Sequence, residues 1–388
     1  MFDLNFIILF IRRGDNLLDV QVDEFTLVLQ PTIRLNNVED WEHMALIMIT
    51  KFIELSKVER TFGKLLNKTT SLPFGYSDGF VNNHPLYYFA IAYHVDFPQM
   101  GVCIKFSAVA WLEYRNRVKD LYKQTTQIYQ FIAGVNKTAI YTSRLSRIDI
   151  AIDFINENVN VNSIYNQLAK GNHIVRNSTG RINNSKLTAI TNDNVTSTFY
   201  IGSRGKNIKS LLRVYDKKKE QIDTAGILYH QGLQFNSWVR FESVFKGSYA
   251  HQLTEQIKEI KTDTELKNLL VSALTDRYQF HYAKSNELTI YSKKMLSLLA
   301  KKNFSFSAPS PRVNLLEQSQ KHILNGSGLF PYLYKVHAIW GDDGLENCLS
   351  FLQSEFEKYE PNNDVLIWIN KYSEQYKKQG EPFQFKKE

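Results

Sequence analysis

"SRIDIAIDF", residues 146–154, alternates without a break. Ile148, Ile150 and Ile152 fall on one side of an extended chain, and Arg147, Asp149, Ala151 and Asp153 fall on the other. A period of two marks a strand with one buried face. Acidic residues are depleted in strands, so two of them on one face need a reason. From the residues alone, a solvent-facing charged sheet supplies one. A hard-cation site supplies another, because carboxylates suit Mg²⁺ or Mn²⁺.

The stretches around this strand repeat an order already met upstream. Residues from about 20 to 142 open with the strand-like "VDEFTLVLQ". The periodic helix "DWEHMALIMITKFIELSKVERTF" follows, then the strand candidates "GYSDGFV", "LYYFAIAYHV" and "GVCIKFSAVAW", and finally the helix "WLEYRNRVKDLYKQTTQIYQFIAG". After "SRIDIAIDF" come the short helix "VNSIYNQLAKG", the strands "STFYIGSRG", "SLLRVYDKK" and "SWVRFESVF", and the helix "SYAHQLTEQIKEI". The expected fold class is therefore α+β: two successive units of strand, helix and antiparallel sheet. Their order points to a duplicated core, although the residues of the two halves are not obviously similar. "SFSAPSPR", residues 305–312, reads as a linker, and the helical periodicity beyond it predicts a C-terminal helical appendage. The expected regions are 1–142, an N-terminal α+β half; 143–284, an α+β half carrying the chemistry; and 285–388, mainly helical.

In "SLLRVYDKKKEQ", residues 210–221, strand parity places Leu211, Arg213, Tyr215 and Lys217 on one face. A phenol then stands between a guanidinium and an ammonium. That is either a cationic surface strand or a tyrosine prepared to meet a phosphate. A free tyrosine has a pKa of about 10, and neighbouring cations are expected to lower it. In "WVRFESVF", Trp238, Arg240, Glu242 and Val244 share a face, which is either a cross-strand ion pair or a phosphate and metal site. The loop "FYIGSRGKNIKS" crowds Arg204, Lys206 and Lys209 together beside two glycines. It lacks the GxxxxGK[ST] spacing of a nucleotide loop and suits a sugar-phosphate clamp.

Bulk composition agrees with such a partner. The chain has 388 residues and a formal charge of +8, which favours polyanions. Two cysteines exclude a disulfide framework and a structural zinc site. Nine histidines include no H-x-H or HExxH pattern, so histidine-ligated nickases and zinc proteases are not indicated. The apolar run "FIILF", residues 6–10, is too short to span a bilayer and no cleavage site follows it, so no membrane association and a cytoplasmic location are expected.

Three blocks, "SRLSRIDIAIDF", "FYIGSRGKNIKSLLRVYDKKKEQ" and "SWVRFESVFKG", resemble the signature blocks of the Rep_trans family over roughly residues 20–280. The family comprises rolling-circle replication initiators of plasmids from Gram-positive bacteria and related relaxases of integrative conjugative elements. The resemblance implies a DNA strand transferase that nicks one strand at an origin hairpin. A tyrosine becomes joined to the 5′ phosphate and the freed 3′ hydroxyl primes synthesis. The tyrosine of the R-[IV]-Y-[DN]-K block corresponds to Tyr215, with Tyr200 as the rival nucleophile. Asp149, Asp153 and Glu242 are the implied ligands of a divalent cation, Mg²⁺ or Mn²⁺. Arg213, Lys217, Arg240, Arg204 and Lys206 are the expected phosphate contacts. Origin DNA, single-stranded or extruded as a hairpin, is the implied partner. The resemblance also implies a homodimer, a host helicase and an origin-recognising segment near the C-terminus. A relaxase nicking a transfer origin would use the same residues, and a DNA-binding regulator without catalysis would keep only the fold.

Overall fold

A computed structural model of the chain describes residues 16–33, 38–183, 186–203, 205, 208–300, 304–306, 316–361 and 363–380. Two compact units divide it, Met1–Ser307 and Ala308–Glu388.

The first unit is built on one sheet. Its N-terminal half runs β1 (Leu17–Pro31), α1 (Val38–Ser56), α2 (Val58–Phe62), β2 (Leu66–Lys68), β3 (Asp78–Val81), β4 (Phe89–Tyr93), β5 (Val102–Phe106), α3 (Ala108–Tyr122) and α4 (Ile128–Val135). The second half continues with β6 (Tyr141–Ile155), α5 (Val161–Ala169), β7 (His173–Arg176), β8 (Leu187–Asn192), β9 (Val195–Ile201), β10 (Ser210–Asp216), α6 (Lys217–Asp223) and α7 (Tyr229–Gln234). It closes with β11 (Trp238–Lys246), α8 (Ser248–Glu259), α9 (Asp263–Arg277), β12 (Gln279–Tyr282) and α10 (Ile290–Ser297). Ten of these strands form an antiparallel sheet in the order β2-β3-β4-β5-β1-β6-β11-β10-β9-β8, while β7 and β12 pair separately.

That order reads alike outward from its middle. The first strand of each half, β1 or β6, is central and pairs with its counterpart. The last strand of each half, β5 or β11, lies next to it, and the earlier hairpin strands follow outward. Both central strands lead into a helix, and both last strands lead into a helical pair. The duplicated order expected from the sequence is thus carried by topology, with β1 and β6 in register from Leu17↔Ile155 to Pro31↔Tyr141.

One face of the sheet is packed against helices. Ile148, Ile150, Ile152 and Phe154 of β6 are fully buried there, beside Phe241 and Phe245 of β11 and Leu212 and Val214 of β10. Trp41, Met48 and Phe52 of α1, Trp111 of α3 and Phe131 of α4 close the same layer over Phe25, Phe89 and Phe106. The other face carries the even-spaced polar residues, so the inside-outside pattern of "SRIDIAIDF" is realised as two unlike faces of one strand.

The local differences from the sequence reading have backbone causes. The helix expected over 40–62 is two helices, parted by Lys57 at φ 58°, and the helix expected over 111–134 is parted after Lys123 at φ 55°. Left-handed residues cannot continue an α-helix. The short strands β7, β8 and β12 were not expected; their runs of four to six residues carry little alternation. Helix α10, with Met295 buried, packs in the first unit. Phe306 joins it there, 4.4 Å from the ring of Tyr249 and 4.9 Å from that of Phe245. The second unit contains α11 (Leu316–Asn325), α12 (Leu329–Glu357), broken at Gly341, and α13 (Asn363–Gln379). Among the described residues no helix is long and apolar enough to cross a membrane.

Candidate nucleic-acid cleavage site

The face opposite the main helical layer gathers the charged residues of four neighbouring strands. Register places Arg213 opposite Glu242 and Tyr215 opposite Arg240, then Arg240 opposite Asp153 and Glu242 opposite Ala151. On β6, Asp153 faces Asp19 of β1. Single-face parity on each strand therefore becomes a two-dimensional grid of side chains.

Tyr215 is buried, and its hydroxyl donates to Glu242 Oε2 at 3.2 Å. Arg213 Nη2 donates to both oxygens of Glu242, at 2.8 and 2.6 Å, and its Cζ lies 4.4 Å from the centre of the Tyr215 ring. Arg213 Nε is buried without a hydrogen-bond partner among the described residues. A buried guanidinium N–H left without a partner is costly, and an oxygen anion is the acceptor that would best satisfy it. Arg240, the most deeply buried arginine of the site, donates from Nε and Nη2 to Asp153, each at 2.7 Å, and from Nη1 to Asp23 at 2.6 Å. Gln21 Nε2 adds a bond to Asp153 at 3.2 Å.

Lys217 is corrected in place. The strand ends at Asp216, whose side chain caps α6 by accepting from the Lys219 backbone N–H, and Lys217 is the first residue of that helix. Its Nζ still lies 5.6 Å from the Tyr215 ring centre and pairs with Glu220 at 2.8 Å. A small cleft of about 50 Å³ opens beside it, lined by Gln21, Asp23, Trp111, Arg115, Gln221 and Arg240 among others. Tyr200 of β9 lies opposite Arg213, on the same face as Tyr215. Arg204 and Lys206 lie outside the described residues.

The expected lowering of the phenol's pKa is overturned. Burial is the largest influence and pushes Tyr215 well above 10; Arg240 and Arg213 pull it down, Glu242 and Asp23 push it up. Burial also raises Glu242, with Asp23 adding to the rise and Arg213 opposing it. Asp149 is pushed up to about 7 by burial, against the pull of Arg147.

The three carboxylates expected to share one cation are not brought together. Asp149 and Asp153 are four residues apart on one strand, about 13 Å along it. Each carboxylate is held by a different arginine: Asp149 by Arg147 at 2.5 and 2.8 Å, Asp153 by Arg240 and Glu242 by Arg213. Among the described residues no group of three such ligands is placed to hold a metal ion. As arranged, the trio does not fit one ion.

Two acids of the site were missed. Between Val22 and Phe25 the register of β1 slips, so Asp23 and Glu24 together face Asp149. The bulge turns both onto the polar face, Asp23 to Arg240 and Glu24 to Arg147 at 2.7 Å. The signal was the adjacent acid pair in "VQVDEFTLVLQ", which interrupts an otherwise apolar alternation.

Residues 143–304 match the model of the Rep_trans family, described as replication initiation factor. The resemblance carried by the three sequence blocks therefore holds over the stretch from β6 through α10, which contains Tyr215, Arg213, Arg240, Glu242, Asp149 and Asp153. A solved rolling circle replication initiator protein from Geobacillus stearothermophilus is similar to this chain at 16% identity, with a TM-score of 0.49. The similarity covers 74% of this chain and all of that one. No curated protein matches the chain.

Proposed function

We propose that this protein is a rolling-circle replication initiator that nicks and rejoins one strand of its origin, with Tyr215 as the nucleophile. The observation that carries the reading is the Tyr215 hydroxyl, donating to Glu242 beneath the Arg213 guanidinium, inside the stretch that matches a replication initiation factor.

In the step proposed, the phenolic oxygen bonds to the scissile phosphorus and the bond from phosphorus to the 3′ oxygen breaks. Glu242 lies where the phenolic proton must go, and the departing 3′ oxygen takes up a proton to leave as a hydroxyl. The guanidinium of Arg213, whose Nε has no partner among the described residues, would donate to the phosphate, whose negative charge replaces the pull that Glu242 exerts on it. Arg240 and Lys217 supply further positive charge beside the ring. A phosphate next to these cations also offsets the burial that keeps the phenol protonated in the free protein. The rejoining reaction runs the same bonds in reverse.

Origin DNA as a single strand or extruded hairpin, a homodimer, a host helicase partner, an origin-recognising C-terminal region and action in the cytoplasm belong to the same proposal. The deciding experiment mixes the protein with a single-stranded oligonucleotide from its own replicon's origin, in Mg²⁺ or Mn²⁺ and again in EDTA. A denaturing gel then looks for a protein–DNA adduct. The expected result is an adduct lost in Tyr215→Phe and kept in Tyr200→Phe. An adduct that survives Tyr215→Phe moves the nucleophile to Tyr200. Tight binding with no adduct on any origin oligonucleotide replaces the nickase by a DNA-binding regulator. The EDTA lanes test whether a divalent cation takes part.

A further inference from the structure

The charged grid of the polar face stops at β10. The next strands outward, β9 and β8, carry no charged residue: they read "VTSTFYI" over 195–201 and "LTAITN" over 187–192. Phe199 and Ile201 of β9 are fully buried in the helix-packed layer, and Leu187 and Ala189 of β8 pack against it. Alternation therefore turns Thr198 and Tyr200, with Ile190 and Thr188 opposite them, onto the face that carries Tyr215.

Two rungs of the sheet join this uncharged strip to the nicking site. On one, Thr188, Tyr200, Arg213 and Glu242 stand in line across β8, β9, β10 and β11; on the next, Ile190, Thr198, Tyr215 and Arg240 do. Tyr200 is half-buried and directly opposite Arg213. Directly opposite residues have Cβ atoms about 5 Å apart, and the diagonal to Tyr215 is about 7–8 Å, which aromatic side chains span. Ile190 is 52% exposed, two strands out from Tyr215, and only the small Thr198 stands between them. Two strand spacings are about 10 Å. The strip is thus a shallow uncharged floor with an aromatic ring at its inner edge and an aliphatic side chain at its outer edge.

We infer that this strip seats a nucleobase adjoining the scissile phosphate, stacked on the ring of Tyr200. The inference rests on the proposed nicking function for its ligand. A phosphate held at Arg213 brings the base of an adjoining nucleotide within reach of the next strand. The face then matches the two parts of a nucleotide. Arginines on β10 and β11 meet the anionic backbone, and the uncharged floor on β9 and β8 meets the flat, neutral base. Stacking uses the π face that every base has, so the seat fixes where the strand lies and not which base it carries. Held there, the strand keeps its phosphate beside the Tyr215 hydroxyl. Tyr200 is in this role a positioning residue, and the role needs its ring, not its hydroxyl.

The test uses the full chain carrying Tyr215→Phe as the parent, so that binding is read without cleavage. A fluorescent origin single strand is titrated intact, and again with an abasic site moved one nucleotide at a time along it. Tyr200→Leu is expected to weaken binding of the intact strand about tenfold, and Tyr200→Phe to bind as the parent does. Removing one base, next to the nick mapped with wild-type protein, is expected to cost the parent about the same tenfold and to cost Tyr200→Leu nothing further. The slope of log affinity against log salt is expected to stay unchanged in Tyr200→Leu, because no phosphate contact is lost. Thermal melts check that both variants remain folded. An abasic scan with the same profile in the parent and in Tyr200→Leu, or Tyr200→Phe binding as weakly as Tyr200→Leu, overturns the seat. Failure of the nicking reading looks different: wild-type protein then forms no adduct, while binding of one base still depends on Tyr200.

Discussion

Arg240 shows how burial decides what a residue of this site can do. Only 2% of its side chain is exposed, and it satisfies two carboxylates from separate halves of the first unit, Asp153 and Asp23. Replacing it by methionine leaves both acids without their cation. Removing one partner of a buried pair costs about 3–5 kcal/mol, so Arg240→Met is expected to lower the urea midpoint by that loss divided by the m-value, with the m-value itself unchanged. Asp149 offers a test with the opposite logic. Its folded pKa, about 7, lies above the ordinary carboxylate value of 3.8. The native state therefore holds the proton more tightly than the unfolded chain. The contribution is complete below pH 4 and is lost as pH rises through 7. Asp149→Asn is expected to flatten the fall in stability between pH 4 and 7, followed as the melting temperature of both proteins across that range. For catalysis, Glu242→Gln keeps the shape of the side chain but removes its charge. Adduct formation is expected to slow by about a hundredfold or more, the usual contribution of a positioned proton acceptor, while oligonucleotide binding persists.

At the scale of the element, the decisive feature is the bulge in β1. A regular strand would send Asp23 and Glu24 to opposite faces, one of them into the helix-packed core. The extra residue instead delivers both to the polar face, where they meet Arg240 and Arg147. β3 and β4 are constrained differently. A Cβ added at Gly79 would lie 2.2 Å from the carbonyl oxygen of Ile91 and 2.8 Å from the Ala92 Cα, both backbone atoms that cannot swing aside. Gly79→Ala is therefore expected to cost at least about 1–3 kcal/mol by forcing this hairpin apart. The melting temperature relative to wild type measures it. Further along, the change from β10 to α6 at Asp216 turns Lys217 out of the strand's alternation and into the first turn of a helix, still within reach of the Tyr215 ring.

At the scale of the molecule, the two halves of the first unit are not separable as the sequence order suggests. β1 and β6 pair along nearly their whole length at the centre of the sheet, and the site draws Asp23 from one half and Tyr215 from the other. Cutting at residue 142 would expose two long central edges at once. Fragments 1–142 and 143–307 are expected to aggregate or remain unfolded alone, whereas 1–307 is expected to melt cooperatively, as circular dichroism can follow. The helical unit differs in charge from the rest. Over 316–380 it carries nine acidic and six basic residues, so the chain's positive excess lies elsewhere. Large apolar side chains such as Tyr334, Ile339, Trp340 and Phe356 are exposed there.

What the sequence determined by itself is local: the two faces of "SRIDIAIDF", the pairing of Arg240 and Glu242 on one face, and the cations around Tyr215. Strand parity is a property of consecutive residues and needs no neighbour to be read. The repeated order of elements was legible for the same reason, and the α+β class followed from it. The tertiary structure alone decided which strands meet. Only pairing could set Arg213 over Glu242, bring Asp23 across 217 residues to Arg240, and hold Asp149 and Asp153 on separate arginines. It also decided the sign of the effect on Tyr215. Adjacent cations in the chain predict a lowered pKa, but the desolvation of a buried phenol depends on everything packed around it, and that influence is the largest.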